Sequence, residues 1–284
     1  MNLETQEEIY SNGDEWFEGL KAALENAQKF VCFESYIFNH DECGKRVLGL
    51  LKQAAARGVR VRVLVDGIGA PSWNSNTILA LAKDNIEVRV YHPPPWLLAE
   101  PWFVKYFQVR SLLQIFGRIN RRNHRKTLIV DGQIAIIGSV NVAECHLRSI
   151  SGENSWRDTA VLVKYNDIEK LIKAFEYTWE CSWYIGLKWV PKFPEPQQRS
   201  KYFMIKGSIR SRLFYYRMIL NQVRNAKTRI YITNPYFLPH ARLLRVLKKA
   251  AKRGVDVRVI VPFKIDIAIV KWASVTFYKD MLAS

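Results

Sequence analysis

With 284 residues, 49% of them hydrophobic, the chain can bury substantial cores in one or two domains, yet no apolar run reaches the eighteen or so residues needed to cross a bilayer. Cys32, Cys43, Cys145 and Cys181 form no C-x-x-C pair, which excludes a disulfide-stapled scaffold in favour of thiols in a reducing compartment. The formal charge of +17 is uneven, with acids crowding the first 25 residues and none between 196 and 255, a stretch that repels itself unless it meets anions such as nucleic acid or lipid headgroups.

No signal peptide precedes Asn12, so the protein is expected in the cytosol or peripheral on the cytosolic face of the cell membrane. Residues 15–28 read as an amphipathic helix after the turn Asn12-Gly13-Asp14, with Phe17, Leu20, Ala23, Leu24 and Ala27 on one face. Residues 30–38 are apolar and aromatic and predict a buried strand. Glu34 inside it needs a partner, and a structural hydrogen bond is favoured over a catalytic role. Helices over 45–57 and 76–83 alternate with strands over 59–65 and 86–91, the rhythm of an α/β sheet.

Residues 92–123 break that rhythm. Three prolines are followed by Trp96, Trp102, Phe103, Tyr106 and Phe107, then by leucines and isoleucines interleaved with Arg110, Arg118, Arg121 and Arg122. The pattern suits an amphipathic surface helix dipping into a lipid boundary while its arginines meet headgroups; the alternative is a helix packed on its own core.

The stretch from His124 reads H-x-K-x-x-x-x-D, then six residues, then G-S-x-N. Two apolar runs, 128–130 and 134–137, flank Asp131-Gly132 and predict a buried hairpin. Alternate strand residues share a face, so His124 and Lys126 project together, and Ser139 and Asn141 do the same beyond the second strand. Such a cluster suits phosphoryl transfer: a neutral imidazole is a nucleophile or base near neutral pH, and lysine, amide and hydroxyl donors hold non-bridging oxygens. Asp131 either fixes the imidazole tautomer or steadies the lysine. A chance His and Lys on a surface hairpin is the alternative for H-x-K alone; the four further positions tell against it.

His124, Lys126, Asp131, Gly138, Ser139 and Asn141 resemble the phospholipase D superfamily signature, and the run from Trp156 to Thr159 leading into strand-like residues 160–163 resembles its cardiolipin synthase branch. That resemblance covers nearly the whole chain. It implies duplicated α/β sheet-and-helix domains whose two catalytic strings meet at one pocket. It also implies a phosphohistidine formed on His124 and phosphate binding by Lys126, Ser139 and Asn141. Asp158 would be the acidic partner of a catalytic histidine. No cofactor or metal is implied, since H-x-K with a distant Asp lacks a ligand triad.

Beyond Asp158 a helix is expected over 168–181, and the proline-rich residues 191–196 read as a linker. Residues 27–38 (AQKFVCFESYIF) resemble 226–237 (AKTRIYITNPYF), and 50–65 (LLKQAAARGVRVRVLV) resemble 246–261 (VLKKAAKRGVDVRVIV). Residues 1–195 are therefore expected to form a first domain with the H-x-K string, and 196–284 an incomplete second copy lacking its own. Carrying the repeat interval forward from His124 places a second catalytic histidine beyond Ser284. The chain alone is expected to be inactive or nearly so, with the apolar faces of 230–237 and 257–261 poorly covered, unless a homodimer or complementing chain supplies the second string.

Three readings compete. The leading one, implied by the resemblance, is phosphatidyl transfer between phosphatidylglycerol molecules on an anionic phospholipid membrane. A nucleic-acid phosphodiesterase is favoured by charge alone, and a non-catalytic basic membrane-binding module is the third.

Overall fold

The computed structural model describes residues 6–93, 122–164, 168–182, 209–263 and 268–282. The chain divides into two units, residues 1–205 and 206–284. The predicted surface helix between 92 and 123, apart from its ends, and the linker at 191–196 lie outside the described residues.

In the first unit, helix α1 (Gly13–Glu25) starts where the Asn12 side chain accepts from the backbone N–H of Glu15 at 3.0 Å. Periodicity predicts this helix as far as residue 28; it closes at Asn26, and Ala27 is buried outside it, where the chain turns toward the sheet. Trp16, and not its neighbour Phe17, takes the deep position beside Leu20, Ala23 and Leu24, because Trp16 lies four residues before Leu20 on the same stripe. Helix α2 (Glu42–Ala56) begins earlier than its apolar pattern, since Asp41 caps the Gly44 N–H at 3.0 Å. Helix α3 is Ser75–Lys83.

Seven strands form one sheet: β1 (Gln6–Tyr10), β2 (Phe30–Ser35), β3 (Arg60–Asp66), β4 (Ile86–Tyr91), β5 (Thr127–Val130), β6 (Ile134–Gly138) and β7 (Ala160–Lys164), in the order β1-β7-β6-β5-β2-β3-β4. β2, β3 and β4 run parallel; β5 is antiparallel to β2, and β6, β7 and β1 continue antiparallel. Sequence patterning misses β1, an exposed edge strand in which Tyr10 alone is buried. The predicted strand over 30–38 stops at Ser35; the chain then leaves the sheet, and Phe38 bridges Val142.

Alternation sorts the strands between two cores. Val31, Phe33, Val63, Val65, Leu128 and Val130 face the layer of α1, α2 and α3. Cys32, Leu64 and Ile129 face Ile168, Phe175 and Trp179 on the opposite side. A short helix α4 (Arg148–Ser151) follows β6, and α5 (Ile168–Glu180) supplies those last three residues. Fully burying a leucine or phenylalanine of this kind stabilises by about 2 kcal/mol, so both faces contribute strongly. Burial pushes the Cys43 thiol up to about 12 and the Cys32 thiol up to about 11, so neither is a thiolate at neutral pH.

The second unit holds α6 (Ile209–Asn225), β8 (Arg229–Thr233), α7 (Ala241–Lys252), β9 (Asp256–Ile260) and α8 (Ala268–Leu282). β8 and β9 pair parallel with Arg229 opposite Asp256, as Phe30 lies opposite Arg60 in the first unit. Ile230, Ile232, Val257 and Val259 pack with Leu220, Val223, Leu247 and Ala250. The other face of this ribbon is open: Tyr231 is 56% and Ile260 63% exposed. The expected poor cover thus applies to one face and not to both. No helix among the described residues is long and apolar enough to cross a membrane.

Candidate active site

Strand direction gathers the signature, Asp131 excepted, at one end of the central strands. β5 starts beside the end of β2, with Thr127 opposite Glu34, and beside the end of β6, with Thr127 opposite Ile137. β7 starts beside the end of β6, with Ala160 opposite Gly138. The H-x-K segment, the G-S-x-N segment and Asp158 with Thr159 therefore come together although they are far apart along the chain.

His124 lies just ahead of β5, its imidazole stacked on the Tyr36 ring at 3.8 Å between centroids and 20° between planes. Burial, and then the positive charge of Lys126, hold the His124 pKa below its ordinary value. The ring is consequently neutral at pH 7, the form in which it is nucleophilic. Lys126 Nζ donates to the His124 carbonyl at 2.9 Å and sits 5.3 Å from the centre of the Tyr36 ring. Burial lowers the Lys126 pKa, while Asp158, Asp66 and Glu34 pull it back up.

Gly138 is required by close approach: a Cβ there would lie 2.6 Å from both the Cα and the Cβ of Ala160. That contact sets Ser139 against the next strand, where its N–H donates to the Thr159 carbonyl at 3.0 Å and its hydroxyl to the same oxygen at 3.2 Å. Asn141 is buried, and its Oδ1 accepts from the Ile37 N–H at 3.2 Å. That assignment leaves the Nδ2 donors for another acceptor.

One expected role is corrected. Asp131 occupies the hairpin turn at the far end of β5 from His124, and its carboxylate accepts from the N–H groups of Gln28 (2.9 Å), Lys29 (2.7 Å) and Phe30 (2.8 Å). It therefore neither fixes the imidazole nor steadies Lys126: those three amides hold it to the start of β2. The turn residues Asp131 and Gly132 are both left-handed, at φ 54° and 70°, the backbone that favours Asp-Gly in a tight hairpin.

Asp158 lies at the site edge, but its contacts are with His146 and Ser139 and not with His124. His146, only 2% exposed, places Nδ1 2.9 Å from Asp158 Oδ2. Burial raises the Asp158 pKa, but the adjacent His146 and Ser139 side chains and the charge of Lys126 outweigh it, leaving the pKa below its ordinary value. Asp158 is thus a fixed negative charge among phosphate-site residues.

Sequence reasoning missed Tyr36, Asn123, Arg125, Asp66 and His146, and left the partner of Glu34 open. Alternation alone shows that Asn123 and Arg125 point away from His124 and Lys126. Nothing in the string shows that Glu34 and Asp66 meet them.

A neutral imidazole beside a lysine, with serine and asparagine just beyond the adjoining strand, is equipped for covalent transfer at phosphorus. The chain belongs to the family described as "Cardiolipin synthase, PLD-like domain", whose model matches residues 20–179 and 219–284. It is 28% identical over 289 residues to a cardiolipin synthase of Geobacillus kaustophilus, covering 99% of this chain and 54% of that protein. It is 28% identical over 287 residues to one of Listeria monocytogenes, covering 99% and 56%. The chain spans about half the length of the curated relatives it matches. In fold it resembles the crystal structure of phosphatidylserine synthase from Haemophilus influenzae, with a TM-score of 0.65 at 13% identity, covering 96% of this chain and 66% of that one.

Proposed function

We propose that this chain carries one phosphohistidine half-site of a cardiolipin synthase-type phosphatidyltransferase. The observation that carries the reading is His124, neutral and stacked on Tyr36, with Lys126 beside it at the strand end that also holds Ser139 and Asn141. His124 attacks the phosphorus of a phosphatidylglycerol, and the P–O bond to the headgroup glycerol breaks. Glycerol departs with a proton, and the hydroxyl of a second phosphatidylglycerol then takes the phosphatidyl group from the histidine. Lys126, Ser139 and Asn141 hold the non-bridging oxygens, whose charge grows in the transition state.

The H-x-K-x-x-x-x-D string occurs once in the 284 residues. The acid that protonates leaving glycerol is assigned to a second such string. The site works at the cytosolic face of an anionic membrane, drawn there by the stretch from 196 to 255 that lacks any acid.

The test is incubation with vesicles of phosphatidylglycerol labelled at phosphorus. Label is expected on the protein, labile to acid and stable to alkali, and lost in His124→Ala with the fold intact. Acid-stable, alkali-labile label excludes phosphohistidine. Turnover of DNA with untouched vesicles moves the chain to nucleic-acid phosphodiesters, and no reaction with either when a segment supplying the second string is added leaves a membrane-binding module.

A further inference from the structure

The residues flanking His124 are anchored to two buried carboxylates from other strands. Glu34, at the end of β2 and 2% exposed, accepts from Asn123 Nδ2 and from Arg125, whose Nε lies 3.1 Å from both oxygens and whose Nη2 lies 2.9 Å from Oε1. Asp66, the last residue of β3 and fully buried, accepts from the Asn123 N–H at 3.0 Å and from Arg122 Nη1 at 3.3 Å. Arg125 also donates to the Ala174 carbonyl at 3.3 Å and to the Thr178 hydroxyl of α5, and Arg122 to the His92 carbonyl at 3.1 Å. Residues 122–125 precede the first pair of β5, so side chains and not the strand ladder set their position.

We infer that Glu34 and Asp66 are positioning residues: they clamp Asn123 and Arg125 on either side of His124 and so present its imidazole against Tyr36. The claim rests on reading His124 as the nucleophile and adds what aims it. Two observations separate it from simple stabilisation. Burying carboxylates is a poor route to stability, since apolar replacements of buried ion pairs are often neutral or better, whereas fixing one geometry is a known use of them. The internal repeat makes the same point. The second unit keeps the apolar alternation of β2 and β3 but has Thr233 at the place of Glu34 and Pro262 at the place of Asp66. The strand-helix-strand unit of the second copy thus forms without either carboxylate.

The readout is the His124 ring, followed by NMR of the full chain with 13Cε1-labelled histidine; His124→Ala assigns its signal among the five histidines. In the wild type the stacked Tyr36 ring shifts the His124 signal upfield, and Tyr36→Leu sets the size of that shift. Glu34→Gln and Asp66→Asn keep side-chain shape but remove charge, and each is expected to lose at least half of the Tyr36-dependent shift while melting cooperatively. Where Glu34→Gln does not fold, Glu34→Met with Arg125→Met removes both charges together. Folded variants whose His124 signal matches wild type overturn the inference, as does a Tyr36→Leu variant with no shift. Failure of both Glu34 variants to fold assigns the pair to stability and also overturns it. Phosphatidyl transfer is not read, so loss of the functional proposal leaves this result standing.

Discussion

Replacing Asp131 separates its position in the signature from its work in the molecule. Its carboxylate serves three amides at the start of β2, two exposed and that of Phe30 partly buried. In Asp131→Ala the exposed pair turns to water at a cost of about 1 kcal/mol each, and the Phe30 amide costs about 2 kcal/mol. Alanine held at the left-handed φ of 54° adds about 1 kcal/mol. The total is about 5 kcal/mol, or roughly 10–20 °C in Tm for a unit of this size. Asparagine tolerates the left-handed region and keeps one acceptor oxygen, so Asp131→Asn is expected to cost about 2 kcal/mol. Urea and thermal melts followed by circular dichroism give both values. In parallel, the His124 signal is expected to stay at its wild-type position in Asp131→Asn, because the carboxylate lies at the far end of β5. A variant that melts like wild type but shifts or silences His124 would refute this reasoning and return Asp131 to the chemistry.

Gly138→Ala drives a Cβ against Ala160, with β6 and β7 forced apart; about 3 kcal/mol is expected from such overpacking, and an unchanged urea midpoint would show that the strands give way freely. Stability should rise between pH 5 and 7. Burial lowers the His124 and His40 pKa values, so below about 6.5 the unfolded chain binds more protons than the folded one, and this penalty disappears as pH rises through that value. Asp158, with its lowered pKa, adds stability above about 3.9 that is lost as pH falls through its folded value, so both effects point the same way. A urea midpoint that falls from pH 5 to 7 would contradict the histidine effect, and one that does not fall as pH drops below about 3.9 would contradict that of Asp158. Tyr231→Lys with Ile260→Glu places charge on the open face of the β8–β9 ribbon and is expected to reduce concentration-dependent light scattering without lowering Tm. Unchanged scattering would mean that face is not what self-associates.

Period and punctuation made much of this protein legible before any coordinates. Alternation and the Asp-Gly turn marked the hairpin of β5 and β6, and helical spacing marked α1, α2 and α3, because both signals are local and are written in consecutive residues. The duplication was visible because buried positions of a strand-helix-strand unit accept few residue types, and two copies show the same runs. Tertiary structure alone decided which polar groups meet. Asp131 belongs to the same short string as His124, yet an extended strand carries it to the opposite end of the sheet, and the amides of residues 28–30 claim it. Asp158 turns to His146, and Glu34 and Asp66, from strands far earlier in the chain, close on the residues either side of His124. Hydrophobic periodicity records which face of an element is buried. Hydrogen-bond partners depend on strand order and register, which are properties of the assembled sheet.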